Sequence, residues 1–240
     1  KFVNLHRVLG RKGHQYGIEN HLSLIVDHHP VTNKRALLTS KYGIDWSDCT
    51  ASDIFSVDFE SKAVIEDAFD TQYEDSFLLN MLSIHAGTAI NRPDIKCIIH
   101  THPLSICTLV GLQEPFNRIL NVHQNNLRFN AVTKMAYDEE YATFECDEYA
   151  KYAALIGTGN DIVLLSHHGV IVTADCVETA FDRYYFLDLA AQIQVSIYQT
   201  GKEVKQMPKE AYDLTKRELT KEVERRSAVF HFNAAVNAIS

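Results

Sequence analysis

Apolar positions follow two different periods along the chain, and the switch between them outlines the fold. Phe2 to Tyr16 carries a weak, basic helical pattern that Gly10 and Gly13 interrupt, which predicts a short helix and then a turn. The run Asn20-His21-Leu22-Ser23-Leu24-Ile25-Val26 alternates polar and apolar residues as a half-buried strand does, and His28-His29-Pro30 breaks it. The His28/His29 pair reads as solvated loop rather than as ligands. Ala36 to Thr39 gives a further strand, Tyr42-Gly43-Ile44-Asp45 a loop, and Ser52-Asp53-Ile54 leads into Val57-Asp58-Phe59. Lys62-Ala63-Val64-Ile65 reads as the return strand of a hairpin.

From Ser76 to Ile90 the period lengthens. Phe77, Met81, Ile84, His85 and Thr88 recur at three- and four-residue steps, the stripe of an amphipathic helix that Asp75 or Ser76 can cap. His85 lies on that buried stripe. Arg92-Pro93-Asp94 ends the helix and admits an apolar strand running to His102, after which Leu104 to Leu112 is helical, with Pro103 at its first turn. Between Glu114 and Ala142 short strands are expected at Arg128-Phe129 and from Thr133 to Met135, and Asp138-Glu139-Glu140 reads as a solvated loop.

Glu145 to Ile156 fits a helix stopped by Gly157. A strand from Asp161 to His168 meets Gly169, and Val170-Ile171-Val172 continues as strand beyond it. Asp175-Cys176-Val177-Glu178 has the spacing of a capping box. The helix it opens shows one apolar face, Ala180, Phe181, Tyr184, Leu187, Ala191, Val195 and Tyr198, and ends at Gly201 after roughly 25 residues. A one-sided helix of that length is expected to cover a sheet. The charged tail from Lys209 reads as helical, with Val229, Phe230 and Phe232 available to dock on the body or on a neighbouring subunit.

With 240 residues, 46% of them hydrophobic, and no linker-like tract, the chain is expected to form one domain over 1–240, with 202–240 as a helical C-terminal extension. The net charge of −8 disfavours nucleic acid or an anionic membrane as partner. Five dispersed cysteines, Cys49, Cys97, Cys107, Cys146 and Cys176, include no CxxC, so a reducing, cytoplasmic setting is expected without a disulfide framework. No apolar run approaches the ~20 residues of a membrane span. The N-terminus lacks the apolar core of a secretory signal, and since it opens on Lys1, sequence ahead of it is expected.

The chemistry concentrates in Cys97-Ile98-Ile99-His100-Thr101-His102-Pro103. Side chains alternate along a strand, so His100 and His102 point the same way and can grip one ion. A divalent-metal centre needs a third ligand, and the best source is Ile162-Val163-Leu164-Leu165-Ser166-His167-His168-Gly169. On spacing alone this reading is balanced against ordinary core histidines.

Two runs shift that balance. Asn91-Arg92-Pro93-Asp94-Ile95-Lys96-Cys97-Ile98-Ile99-His100-Thr101-His102 and, downstream, Leu164-Leu165-Ser166-His167-His168-Gly169-Val170-Ile171 resemble the class II aldolase/adducin family. So do the Ala180-Phe181 helix with Leu187 to Gln194 and the strand entry from Tyr16 to Val26 around Asn20. The resemblance implies an α/β fold, a three-layer α/β/α sandwich around a central, mostly antiparallel sheet. It also implies a homotetramer with sites between subunits, and zinc or another divalent transition metal on His100, His102 and His168. In the aldolase branch the metal holds vicinal hydroxyl and carbonyl oxygens of a keto-sugar phosphate, and a glutamate on the preceding helix moves the proton.

Departures from that pattern narrow the expectation. Met81 stands at the glutamate's position, Leu79 and Asn80 at the phosphate-holding serines, and Tyr42-Gly43 lacks the adjoining threonine or serine. Asn20 and Gly43 remain as substrate-binding candidates. His85, one turn beyond Met81, is the candidate acid/base or supporting partner, set against a core histidine bonded to backbone. The expected function is a metal-dependent, aldehyde-lyase or epimerase-like enzyme on a small, non-phosphorylated hydroxy-carbonyl compound. The alternative is a catalytically silent, adducin-like binding or scaffolding module; a purely structural zinc fold is weaker. Nothing like adducin's basic, actin-binding tail follows residue 200.

Overall fold

The computed structural model describes residues 1–58, 84–139, 148–221 and 223–239. The strands are β1 (His21–Val26), β2 (Ala36–Ser40), β3 (Ile54–Asp58), β4 (Cys97–Thr101), β5 (Met135–Asp138), β6 (Ile162–Leu165) and β7 (Val170–Ala174). They form one seven-stranded sheet in the order β3-β2-β1-β4-β7-β6-β5. Every pairing is antiparallel except that of β5 with β6. The helices are α1 (Phe2–Arg11), α2 (84–89), α3 (Leu104–Val110), α4 (Glu148–Gly157), α5 (Val177–Gln199), α6 (Lys209–Leu219) and α7 (Val223–Asn237).

Strand alternation separates two cores. Leu22, Cys97, Ile99, Leu164, Val170 and Val172 pack with residues of α1, α3, α5 and α7 on one face. Ile25, Ile98, Val163, Leu165 and Ile171 pack with Ile84 and Ala89 of α2 and Tyr152 and Ile156 of α4 on the other. The result is the three-layer α/β/α sandwich that the sequence implied. β4 lies at the centre, paired on both edges and buried along its length, so it reads as a continuous apolar run.

Several sequence expectations are corrected. Gly10 does not interrupt α1: a Cβ there would lie 2.5 Å from the Ser47 backbone nitrogen, so glycine lets the helix close on the Trp46 segment. His29 is buried and hydrogen-bonds Ser56 Oγ at 3.1 Å, while His28 stays exposed. Arg128-Phe129 belongs to a π-helical turn, Arg128–Val132, and the neighbouring strand shifts to Met135–Asp138, where it pairs with β6. Asp138 is not solvated loop but the buried end of β5, held by Lys151 Nζ at 2.6 Å.

The strand expected from Asp161 to His168 ends at Leu165, and the chain reverses there into β7. No capping box opens α5: Cys176 is its N-cap with no side-chain capping bond to the backbone, and Glu178 instead pairs with Lys1 Nζ at 2.6 Å. Consecutive Ala180, Phe181 and Asp182 are all buried, so α5 is covered on more than one side, by α3, the sheet and α7. Phe232 docks against Phe181 with ring centroids 5.6 Å apart, whereas Phe230 remains exposed. The return strand at 62–65, the first part of the helix expected from Ser76, Met81, Leu79 and Asn80, Glu140, and 145–147 of the helix expected from Glu145 lie outside the described residues.

His6 shows how tightly the α1 core is closed. Its Nδ1 donates to the Phe2 carbonyl at 3.0 Å, its ring meets Phe2 and Trp46 edge-on, and burial pushes its pKa down to about 4. An unfolded histidine titrates near 6.5, so the folded state loses stability as pH falls from 6.5 toward 4, by on the order of 3 kcal/mol. Thermal unfolding of His6→Leu should therefore drop less between pH 7 and pH 5 than that of the unaltered protein, by about 5 °C. An identical drop in both would show that His6 does not carry this acid sensitivity.

Candidate metal centre

The antiparallel register gathers the candidate histidines where the central strand β4 ends. His100 pairs with His21 of β1 on one side and Ile171 of β7 on the other, and Thr101 pairs with Val170. His102 follows as β4 ends. The reversal from β6 to β7 places His168 beside it: His167 takes a left-handed conformation (φ 57°), and Leu165 N–H donates to the Gly169 carbonyl at 2.9 Å. Gly169 makes the close approach feasible, since a Cβ there would lie 2.5 Å from the Thr101 carbonyl oxygen and 2.8 Å from the His102 ring. Cys107 Sγ of α3 donates to the His168 carbonyl at 3.0 Å and steadies the turn.

One ligand nitrogen from each of His100, His102 and His168 lies within 4.8 Å of the others. The Nε2 atoms of His102 and His168 face each other at 2.7 Å, with their rings nearly parallel. His100 Nδ1 donates to the Val170 carbonyl at 3.0 Å, which leaves Nε2 as the lone-pair nitrogen. His100 is 1% exposed, and His102 and His168 are half-buried. Burial, with the neighbouring imidazoles, holds the pKa of His100 well below the usual value. Burial and His102 bring His168 to about 3. Burial also lowers His102, against the pull of the Glu19 carboxylate. All three are thus neutral at pH 7, the form that binds metal. A set of converging imidazole nitrogens fits zinc and its transition-series neighbours rather than magnesium or calcium.

The remaining candidates occupy distinct places. Asn20 is 4% exposed; its Oδ1 accepts from the His102 backbone N–H at 3.1 Å and its Nδ2 donates to the Tyr16 carbonyl at 2.7 Å. Gly43 sits in an exposed turn (φ 79°) with open space around it, next to Tyr42, whose hydroxyl donates to Glu19 Oε1 at 2.6 Å. His85 is fully enclosed and bonds side chains rather than backbone: its Nε2 meets Nδ1 of His21 at 2.5 Å and its Nδ1 meets Ser23 Oγ at 2.5 Å. His167 is the neighbour in the turn. The residue that sequence reasoning missed is His21, whose ring lies 4.7 Å from that of His100. Its signal was the pair of polar residues, His21 and Ser23, on one face of an otherwise aliphatic strand.

Residues 1–195 match the family described as Class II Aldolase and Adducin N-terminal domain. Gamma-adducin from Homo sapiens is 27% identical over 153 residues, which cover 64% of this chain and 20% of that protein. The chain therefore spans about a fifth of the length of the adducins it matches. The 3,4-dihydroxyphthalate decarboxylase from Arthrobacter keyseri is 25% identical over 205 residues, 84% of this chain and 79% of that protein. Among solved structures, the aldolase II superfamily protein from Pseudomonas syringae superposes with a TM-score of 0.83 at 20% identity, over 99% of this chain and 89% of that one.

The two glycines separate steric from conformational demand. Gly169→Ala drives a Cβ into the backbone of Thr101 and should destabilise the fold by about 1–3 kcal/mol. Gly43→Ala meets no neighbour and should cost only about 1 kcal/mol through its left-handed φ. Urea unfolding of both variants checks the order; equal midpoints would contradict the tight approach of the 166–169 turn to β4.

Proposed function

The chain belongs to the class II aldolase and adducin N-terminal domain family, and from that premise we propose that it binds a divalent transition metal, zinc first, on His100, His102 and His168. We read it as a lyase or epimerase-like enzyme acting on a small, non-phosphorylated hydroxy-carbonyl compound. The observation that carries this reading is the convergence of three neutral imidazoles at the end of the central strand, with no fourth histidine, cysteine or carboxylate in the cluster among the described residues. A structural zinc site closes its fourth position with protein, whereas three ligands leave a position for substrate oxygen.

When bound, the ion supplies Lewis-acid stabilisation of negative charge on oxygens beside the reacting carbon. His100 contributes Nε2 because Val170 holds its other nitrogen, and Asn20 fixes the backbone from which His102 projects. Both ends of the Asn20 amide are engaged by backbone, which favours a role in shaping the centre over direct substrate binding. His85 is walled off behind His21 and acts as a supporting partner rather than as an acid/base in contact with substrate. Met81, Leu79 and Asn80 at the family's glutamate and serine positions support an unphosphorylated substrate and a different proton carrier. Similarity to a protein named as a decarboxylase supports a reaction that breaks a carbon–carbon bond.

The second reading, a silent adducin-like module, draws on the gamma-adducin similarity and the same Met81 substitution. In either reading we propose a cytoplasmic homo-oligomer, tetrameric as the family resemblance implies, with neither nucleic acid nor membrane as partner. The charge of −8 supports this, and no helix among the described residues is long and apolar enough to cross a membrane.

Elemental analysis of purified protein should find about one transition-metal ion per chain, with His100→Ala reducing retention at least tenfold. Loaded protein should release aldehyde or carbon dioxide from some member of a panel of non-phosphorylated hydroxy-ketones and hydroxy-acids. Metal without turnover on any panel member would favour the silent module, and absence of metal would remove both the centre and the enzyme.

A further inference from the structure

Behind the three histidines stands a second polar group inside an apolar layer. His21, Ser23 and His85 are 6%, 0% and 0% exposed. His21 and Ser23 project from the same face of β1, two positions apart, and α2 lays His85 across them. His85 spans the pair, with Nδ1 on Ser23 Oγ and Nε2 on His21 Nδ1, each at 2.5 Å. Ring centroids are 4.6 Å apart between His85 and His21, and 4.7 Å between His21 and His100. The imidazoles therefore run in an unbroken row from the interior of the α2 layer to the candidate metal centre.

Burying polar rings costs free energy unless their nitrogens are bonded, and both nitrogens of His85 are. Leucine or phenylalanine at 21 and 85 would fill this layer without that demand, so the arrangement calls for a purpose other than packing. Geometry supplies one. His85 and Ser23 fix the plane of the His21 ring, and that ring lies against His100 at an interplanar angle of 38°. His100 is thus held twice, through Nδ1 by the Val170 carbonyl and through its ring face by His21.

We propose that Ser23, His85 and His21 form a positioning ladder that sets the orientation of His100, and with it the affinity and ligand field of the bound ion. The proposal rests on the metal-binding reading above. His21 and His85 are positioning residues: they act on the ion through His100. With the ladder broken, His100 keeps its Val170 bond but its ring regains freedom to swing about it.

The test is cobalt(II) titration of the full chain, followed by visible absorption, for the unaltered protein and for His21→Phe, His85→Leu, His85→Gln and Ser23→Ala, with folding checked by circular dichroism. The Gln amide can replace the imidazole nitrogen that faces His21, so it serves as the conservative variant. Affinity should fall about tenfold in His21→Phe and His85→Leu, the size usual for loss of an outer partner of a metal-bound histidine, and the cobalt bands should shift. His85→Gln should recover affinity to within about threefold of the unaltered protein, with its bands. Should His85→Leu fail to fold, Ser23→Ala carries the comparison, with a smaller loss and a band shift in the same direction. Unchanged affinity and bands in the folded variants, or Gln no better than Leu, overturn the ladder alone. Failure of the unaltered, folded protein to take up cobalt overturns the metal centre and the ladder together.

Discussion

The pairing of β4 with β1 on one edge and β7 on the other fixes almost everything of chemical interest in this protein. Those two ladders leave β4 no freedom of register, because a slip of one residue would send His100 to the opposite face along with every apolar side chain of the strand. They also set His21 directly across from His100 and bring the β6–β7 reversal against the end of the strand. Sheet formation therefore brings the backbone of the centre together, and side-chain contacts with His21 and the Val170 carbonyl then hold the His100 ring.

Electrostatics follow from the same enclosure. Five imidazoles gather around the end of β4, three of them almost completely removed from water. No carboxylate joins the three-histidine cluster among the described residues, and Glu19 acts on His102 from the exposed surface. Burial therefore works in one direction, toward neutral rings with lone pairs. The chain's excess of acidic groups lies elsewhere, as in the pairs of Asp138 with Lys151 and of Asp161 with Arg92 and Arg183. The histidine cluster is thus an all-nitrogen surface set apart from the acidic groups that give the chain its net charge of −8.

The sequence was most legible where period and chemistry agreed. Alternation located β1, short apolar runs located β2 and β4, the His100/His102 spacing announced a shared face, and the family resemblance supplied His168 and the layer order. It was least legible where tertiary contacts override local pattern. The reversal at 166–169 carries no Asn-Gly or Asp-Gly signal, and a histidine in left-handed conformation makes the turn, so Asp161 to Val172 looks like one continuous strand. Asp138 looked solvated because its partner, Lys151, comes from a helix beyond it in sequence. α5 looked one-sided because the helix covering its other flank, α7, is far along the chain. His21 was hidden because polar residues on a half-buried strand normally face water, and here that face is roofed by α2.

The parts of the centre are also remote from one another along the chain. Asn20 and His102, which share a hydrogen bond, are 82 positions apart, and His102 and His168 are 66 apart. Bringing such distant segments together is the slow part of building a sheet, since loop-closure entropy is lost before the contacts that compensate for it can form. On a ribosome, β1 and β4 have emerged well before β7, and until β7 arrives β4 has an open edge and His168 has nowhere to stand. For the metal centre proposed above, ion uptake would then come as the closing event of folding rather than as its template, a time stamp that the sheet is complete.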